Sequence, residues 1–334
     1  MVKWCIIGAG GIADRRAIPA ILKDKNSRLV GIMERVPKLC KELGEKYGVP
    51  SFTTVSEMLE NVECDAVYIG TPLFRHKEQM LEALKYNKHV FVEKPFTMNA
   101  SEGAEVLDKF ISANKQLTVG YMMKYHNLHV KARELAQSGG IGQPVSFSVA
   151  FSCWYPDIEG AWRQKKELGG GGVIMDLGVH CIETVEDILG EEIVEVKSMF
   201  TTKSFNYEVE DTGVFICKTK SGVLGTVRVA FNIPDAARES AIEIFGTAGY
   251  LKARGTMSQV EAGRLEYLYS PQGDYDASQG EISSEAKVFL PEGEDIYLRQ
   301  IRDFTSRVIS GEHEYNYAKR ALHVQKLIDE IYNN

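Results

Sequence analysis

Val2-Lys3-Trp4-Cys5-Ile6-Ile7-Gly8-Ala9-Gly10-Gly11-Ile12-Ala13 is the stretch on which the fold turns. Val2 to Ile7 is a short apolar run of the kind that forms a strand covered on both faces by helices. It leads at once into Gly8-Ala9-Gly10-Gly11-Ile12-Ala13, a GxGxxA pattern. In such a turn the first glycine, Gly8, permits the tight bend and Gly10 lets backbone approach a pyrophosphate. Gly11 and Ile12 complete the loop, and Ala13 keeps the next helix close to the strand. That helix would present free N–H groups and its positive dipole end to phosphates. A glycine motif alone is weak, because such turns also occur without ligands. The order strand, motif, helix favours a dinucleotide site.

The surrounding residues agree. Leu29 to Met33, Ala66 to Ile69 and Val90 to Val92 are further apolar runs, separated by helical stretches such as Gln79 to Leu84. Alternating strands and helices imply βαβ units and a doubly wound parallel sheet, the Rossmann class of α/β fold. Glu34 stands at the end of the second run, 26 residues after Gly8. An acidic side chain there accepts hydrogen bonds from a ribose and repels a 2′-phosphate, favouring NAD. Arg35 beside it offers a guanidinium to that phosphate, which keeps NADP as the second choice.

Near residue 144 the pattern changes. Val145 to Cys153 alternates with a period of two, and Gly213 to Thr219, Val223 to Phe231 and Ala241 to Phe245 are also strand-like. Ser221-Gly222 suits a hairpin turn. This half is expected to be an α+β domain on a large, mostly antiparallel open sheet. The division is placed between residues 122 and 123: 1–122 for the dinucleotide, 123–334 for substrate binding and oligomerisation. Residues 270 to 286 read as an exposed loop. Ile301, Phe304 and Val308, then Ala321, Val324, Ile328 and Ile331, mark two amphipathic helices at the end.

A chain of 334 residues fits two domains and can bury its core without metal or disulfide staples. Its net charge of −7 argues against a nucleic-acid partner. No apolar run is long enough to cross a bilayer. The run from Met1 straight into a strand leaves no room for a signal peptide. Six scattered cysteines suit neither a disulfide framework nor a zinc site, so reduced thiols in the cytoplasm are expected.

Two further segments carry chemistry. Glu93-Lys94-Pro95 ends the run Val90 to Val92, at the sheet edge where ligands bind in such folds. A lysine there can hold nicotinamide and substrate hydroxyl together and stabilise a developing alkoxide; a solvated lysine is the equal alternative. The Lys94–Pro95 bond is open to either isomer, trans being commoner. Gly169 to Gly172 is a run of four glycines that lets backbone wrap closely around a ligand or neighbouring chain. Asp176 and His180 follow, four apart and on one face if a helix forms. His180 suits proton transfer near neutral pH, with Asp176 orienting it or binding a neighbouring hydroxyl. A structural histidine and a capping aspartate are the plainer alternative. His180, Cys181, Glu183 and Cys153 lack any ligand spacing, so no metal is expected. His126 and His129 read as ordinary polar-face residues.

Together these residues resemble the glucose-fructose oxidoreductase, inositol dehydrogenase and rhizopine-catabolism (Gfo/Idh/MocA) family. The resemblance rests on Gly8 to Ala13, Thr71-Pro72 followed by His76, His89 to Pro95, Trp162-Arg163, and Gly172 through Asp176 to His180. It implies an NAD(P)-dependent dehydrogenase or reductase acting on the CH–OH group of a sugar, anhydrosugar or cyclitol, assembled as a homodimer or homotetramer. Lys94, Asp176 and His180 would be catalytic. Thr71, Pro72, His76, Glu93 and Lys94 would lie along the cofactor, and Trp162 and Arg163 near the substrate. The glycine run and Trp162-Arg163 most resemble 1,5-anhydro-D-fructose reductases. Leu73 departs from the family's asparagine and Lys124 from its usual arginine. Two other readings compete: a non-catalytic dinucleotide sensor, and a redox-neutral glycosidase that keeps its NAD.

Overall fold

The structure, a computed structural model, describes residues 1–271, 273, 277 and 285–333. The chain forms two compact units. The first takes Met1–Met122, Ala161–Gly170 and Glu294–Asp329. The second takes Met123–Gly160, Gly171–Gly293 and Glu330–Asn334.

In the first unit, β1 (Val2–Ile7), β2 (Ser27–Met33), β3 (Ser51–Phe52), β4 (Ala66–Ile69), β5 (His89–Glu93) and β6 (Leu117–Gly120) form one sheet. Its order is β3-β2-β1-β4-β5-β6 and every pair is parallel. The strands reverse direction of winding at β1, the arrangement of a Rossmann sheet. α1 (Ile18–Lys23), α2 (Pro37–Tyr47), α3 (Val55–Asn61), α4 (His76–Lys85) and α5 (Ala100–Ser112) connect them. The α5 start has a local cause. Asn99 accepts from the Glu102 amide at 3.0 Å while Glu102 accepts from the Met98 amide, so one unpaired helix donor and the amide just before the cap are satisfied. All four anticipated strands are present. β3 and β6 were not anticipated, being only two and four residues long.

The core of this unit is aromatic. Trp4 of β1 lies 4.9 Å from Phe304, which meets Phe91 of β5 at 5.7 Å edge to face. The Trp4 indole N–H donates to Ser27 Oγ at 3.1 Å, and Ser27 in turn donates to buried Asp24.

Four more helices lie along the rest of the chain: α6 (Asn127–Gln137), α7 (Lys166–Gly169), α8 (Val179–Leu189) and α9 (Ile296–Ser310); α10 (Asn316–Asn333) closes it. α9 packs on α1 and β1 in the first unit. The end of α10 belongs to the second unit.

The second unit holds an eight-stranded sheet of β7 (Pro144–Ser152), β8 (Ile193–Thr201), β9 (Thr212–Thr219), β10 (Leu224–Ala230), β11 (Ser240–Gly246), β12 (Gly249–Arg254), β13 (Arg264–Tyr269) and β14 (Lys287–Phe289). The order is β14-β13-β12-β11-β7-β10-β9-β8. Only the central β7–β10 pair is parallel, so the sheet is mostly antiparallel as its sequence pattern implies. β9 and β10 form the expected hairpin, with Gly222 at φ 97°. Phe215, Cys217 and Val227 face inward, where α8 packs on β7 and α6 on α8. Met199, Val214, Ile216 and Leu224 point out on the opposite face and are exposed.

The anticipated loop at 270–286 falls mostly outside the described residues. His126 and His129 are not polar-face residues: both are fully buried. His126 caps α6 by accepting from the Leu128 amide, and His129 bonds Met123 O and Thr256 Oγ1. Their period matched an exposed face, but the chain from Met257 to Gly263 supplies polar partners that the local sequence does not reveal, among them the Ala262 amide on His126.

Candidate active site

The first unit gathers its candidate residues at the carboxyl edge of the parallel sheet. Gly8, after β1, has φ 77°, and the Thr71 methyl and amide occupy the space a side chain would need. Gly11, at φ 56°, has open space where a Cβ would stand. A turn with left-handed glycines at both ends, open above Gly11, is a cradle that fits a pyrophosphate. Ala13 packs near Gly70, as the close-packing role of that position requires. The chain then forms a π-turn, Ala13–Ala17, before α1 begins. The motif thus opens a π-turn rather than an ordinary α-helix. π-bulges gather at functional sites and were invisible to a period-based reading.

Glu34, at the end of β2, is half-buried and accepts from the Gly10 amide at 3.2 Å and the Val36 amide at 3.2 Å. Arg35 is exposed. Thr71 donates to Gln79 at 2.5 Å, and Pro72 leads into a short 3-10 turn begun by buried Leu73. His76 starts α4 with both ring nitrogens on backbone carbonyls, Pro95 O at 2.9 Å and Thr71 O at 3.0 Å. It ties the loop after β4 to the turn after β5. Burial pulls its pKa down.

Glu93 ends β5 and is buried; it accepts from Tyr68 Oη at 2.5 Å. Burial pushes its carboxyl pKa up, against the pull of Tyr68, Lys94 and Arg163. Lys94 is half-buried and its bond to Pro95 is cis. Arg163 stacks over Trp162, 4.3 Å from the ring centre, and bears electrostatically on both Glu93 and His76. Glu93, Lys94, His76 and Arg163 therefore form one electrostatically linked cluster within this unit.

In the second unit the glycine run enters another π-turn, Ile174–Gly178, which passes directly into α8. Asp176 lies in that turn, half-buried. His180 is buried on the first turn of α8, 6.2 Å from the Phe151 ring and edge-on to it. The glycines do not need a ligand to explain them. A Cβ on Gly171 would overlap the Tyr332 phenol, and one on Gly172 would overlap Glu210 O. Glu210 and Tyr332 are the residues the sequence reading missed. They lie 38 and 157 residues from their partners Gly172 and Met175, so no local pattern could have found them. Among the described residues no cluster of His, Cys, Asp and Glu is arranged to hold a metal ion.

The model of the oxidoreductase family with an NAD-binding Rossmann fold matches residues 2–121, and that of the GFO/IDH/MocA C-terminal domain matches 129–252. The chain belongs to the Gfo/Idh/MocA family. It is an NAD(P)-binding oxidoreductase. Gfo/Idh/MocA relatives include a 1,5-anhydro-D-fructose reductase from Ensifer adhaerens, 29% identical over 79% of each chain. A myo-inositol 2-dehydrogenase from Thermotoga maritima is 27% identical over 81% of this chain and 78% of its own. In fold, the chain matches a 3-ketoreductase from Actinomadura kijaniata, solved as a mutant with TDP-benzene and NADP. The TM-score is 0.86 at 24% identity, covering 99% of this chain and 97% of that one.

Proposed function

We propose that this protein transfers a hydride reversibly between nicotinamide and a secondary alcohol or ketone of a sugar, anhydrosugar or cyclitol. The reading is carried by one observation: lysine, aspartate and histidine are each held, within their own unit, by a structural device that fixes them. Lys94 follows a buried, hydrogen-bonded Glu93; Asp176 sits on a π-turn and His180 on the buried helix it leads into. The reductase and dehydrogenase relatives support this substrate class.

Residues 1–122 would bind the dinucleotide, and 123–334 the substrate and a second subunit. The amides of Gly11 and Ile12 would hold the pyrophosphate, Gly10 would let it approach, and Ala13 would keep the following helix close to the strand. Glu34 would receive the ribose hydroxyls; two backbone amides already aim its carboxylate, which favours NAD over NADP. Thr71, Pro72 and His76 would line the cofactor. When bound, the nicotinamide supplies the hydride acceptor, or the donor in reverse. His180 takes the hydroxyl proton as the alcohol is oxidised, and returns it in reduction. Asp176 orients that imidazole or binds a neighbouring hydroxyl. Lys94 stabilises the alkoxide with its ammonium. Trp162 and Arg163 bind substrate hydroxyls. The exposed apolar side chains Met199, Val214, Ile216 and Leu224 suit burial against a second copy of the same sheet. Six free thiols fit a reducing compartment, the cytoplasm.

The test is nicotinamide absorbance with NAD and NADP across a panel of sugars, cyclitols and anhydro-ketoses, with His180→Ala alongside. Turnover of one group, lost in the variant, is expected. Tight dinucleotide binding without any turnover would turn the reading towards a sensor.

A further inference from the structure

The start of a helical segment leaves its first four backbone N–H groups without partners inside the helix. Here those groups belong to Gly172, Val173, Ile174 and Met175, and two residues take all four. Glu210 accepts from the Gly172 amide at 3.0 Å with each carboxylate oxygen, and from the Ile174 amide at 3.0 Å. Its backbone carbonyl accepts from the Val173 amide at 3.0 Å. Tyr332 Oη accepts from the Met175 amide at 3.2 Å and donates to Glu210 at 2.7 Å. Bonding within the turn begins one residue later, from the Asp176 amide to Gly172 O.

We propose that Glu210 and Tyr332 are positioning residues for Asp176 and His180, a role that rests on the dehydrogenase reading of those two side chains. The anchor is stiff for physical reasons. Glu210 is buried, so its charge-assisted bonds are stronger than they would be in water. Tyr332 is held from its other side by Phe200, at 5.5 Å edge to face. Gly171 and Gly172 allow the approach, because a side chain on either would collide with this pair. A π-turn is one residue looser per turn than an α-helix and is rarely stable by itself. Fixing its four leading amides sets where Asp176 points and where α8 starts, and hence where His180 stands. A displacement of about 1 Å in a proton-transfer group costs up to about a hundredfold in rate.

The experiment uses full-length protein carrying Glu210→Gln, Glu210→Asp or Tyr332→Phe, with His180→Ala in the same series. Turnover and KM are measured on the best substrate of the panel, dinucleotide affinity by fluorescence, and amide exchange over residues 171–182 by mass spectrometry. Glu210→Gln must turn an NH2 group towards backbone donors. It is expected to lower kcat at least tenfold, with dinucleotide affinity within twofold and exchange of 172–176 accelerated. Glu210→Asp is expected to recover part of the rate. Tyr332→Phe removes one bond of the anchor and carries the same test if Glu210→Gln does not fold. Wild-type kcat in a folded variant, beside an inactive His180→Ala, would overturn the positioning role alone. So would a loss no larger than the fall in folded protein. Wild-type turnover in His180→Ala would overturn the proton-transfer role of His180 and the positioning role with it, while no turnover in the wild type itself would overturn the dehydrogenase reading.

Discussion

Lowering the pH from 7 to 5 is expected to destabilise the second unit through His129. This side chain is fully buried, with Nδ1 on Met123 O at 2.9 Å and Nε2 on Thr256 Oγ1 at 2.8 Å. Burial, reinforced by neighbouring His126, pulls its pKa down from 6.5 to about 3. The unfolded chain takes up a proton as pH falls through 6.5, while the folded protein refuses one until about 3. The depressed pKa therefore contributes stability above 6.5 that is lost as the pH falls. At pH 5 the unfolded state gains about 1.5 pH units of proton affinity over the native one, or about 2 kcal/mol. That is roughly thirtyfold in the folding equilibrium. Urea unfolding of the wild type and His129→Gln at both pH values reads the difference. The wild type should lose about 2 kcal/mol more than the variant between pH 7 and 5. Equal losses would show that His129 is protonated in the folded protein without penalty, and would refute the argument.

Phe304→Ala removes the ring that joins Trp4 to Phe91 in the first core, and should cost about 3–5 kcal/mol in urea unfolding. A loss below about 1 kcal/mol would mean that α9 does not hold this unit together. Lys94→Met should lower kcat about a hundred- to a thousandfold by removing the charge at the alkoxide, and an unchanged kcat would remove Lys94 from the chemistry. Glu34→Ser should shift the ratio of kcat/KM for NADP over NAD upward at least tenfold, since Arg35 then meets the 2′-phosphate without a competing carboxylate. A ratio that stays put would assign cofactor choice to another residue.

What could be read from the sequence follows from how each element is buried. β1, β4 and β5 are covered on both faces, so they appear as apolar runs with sharp ends, broken only at half-buried Lys3 in β1. β9 and β10 each have one wet face, but only β10 shows it in sequence, as Thr226 and Arg228 between Gly225, Val227 and Val229; in β9 the exposed Val214 and Ile216 are as apolar as the buried Phe215. β8 was missed because its exposed face mixes Lys197 and Glu195 with Met199, and a register shift between Ile193 and Glu195 breaks the period. The short β3 falls below any pattern length. Lys94, Asp176 and His180 stand out as candidates because their neighbours in sequence, Pro95 and the glycine run, mark them. Glu210 and Tyr332 act on the same turn, yet their partners are brought to them only by the fold. The two π-turns were equally hidden, since Ala13–Ala17 and Ile174–Gly178 contain nothing that distinguishes them from ordinary helix starts.

The phenol that completes the glycine turn is encoded 157 residues after the amide it binds. A ribosome adding about 5–20 residues per second makes that tyrosine roughly 8 to 30 s later than Met175. Throughout that interval the nascent turn carries Asp176 and His180 without its final clamp. The glycine turn is thus completed late in synthesis, and a protease that trims only the last turn of α10 would take the phenol from the Met175 amide without cutting near the turn itself.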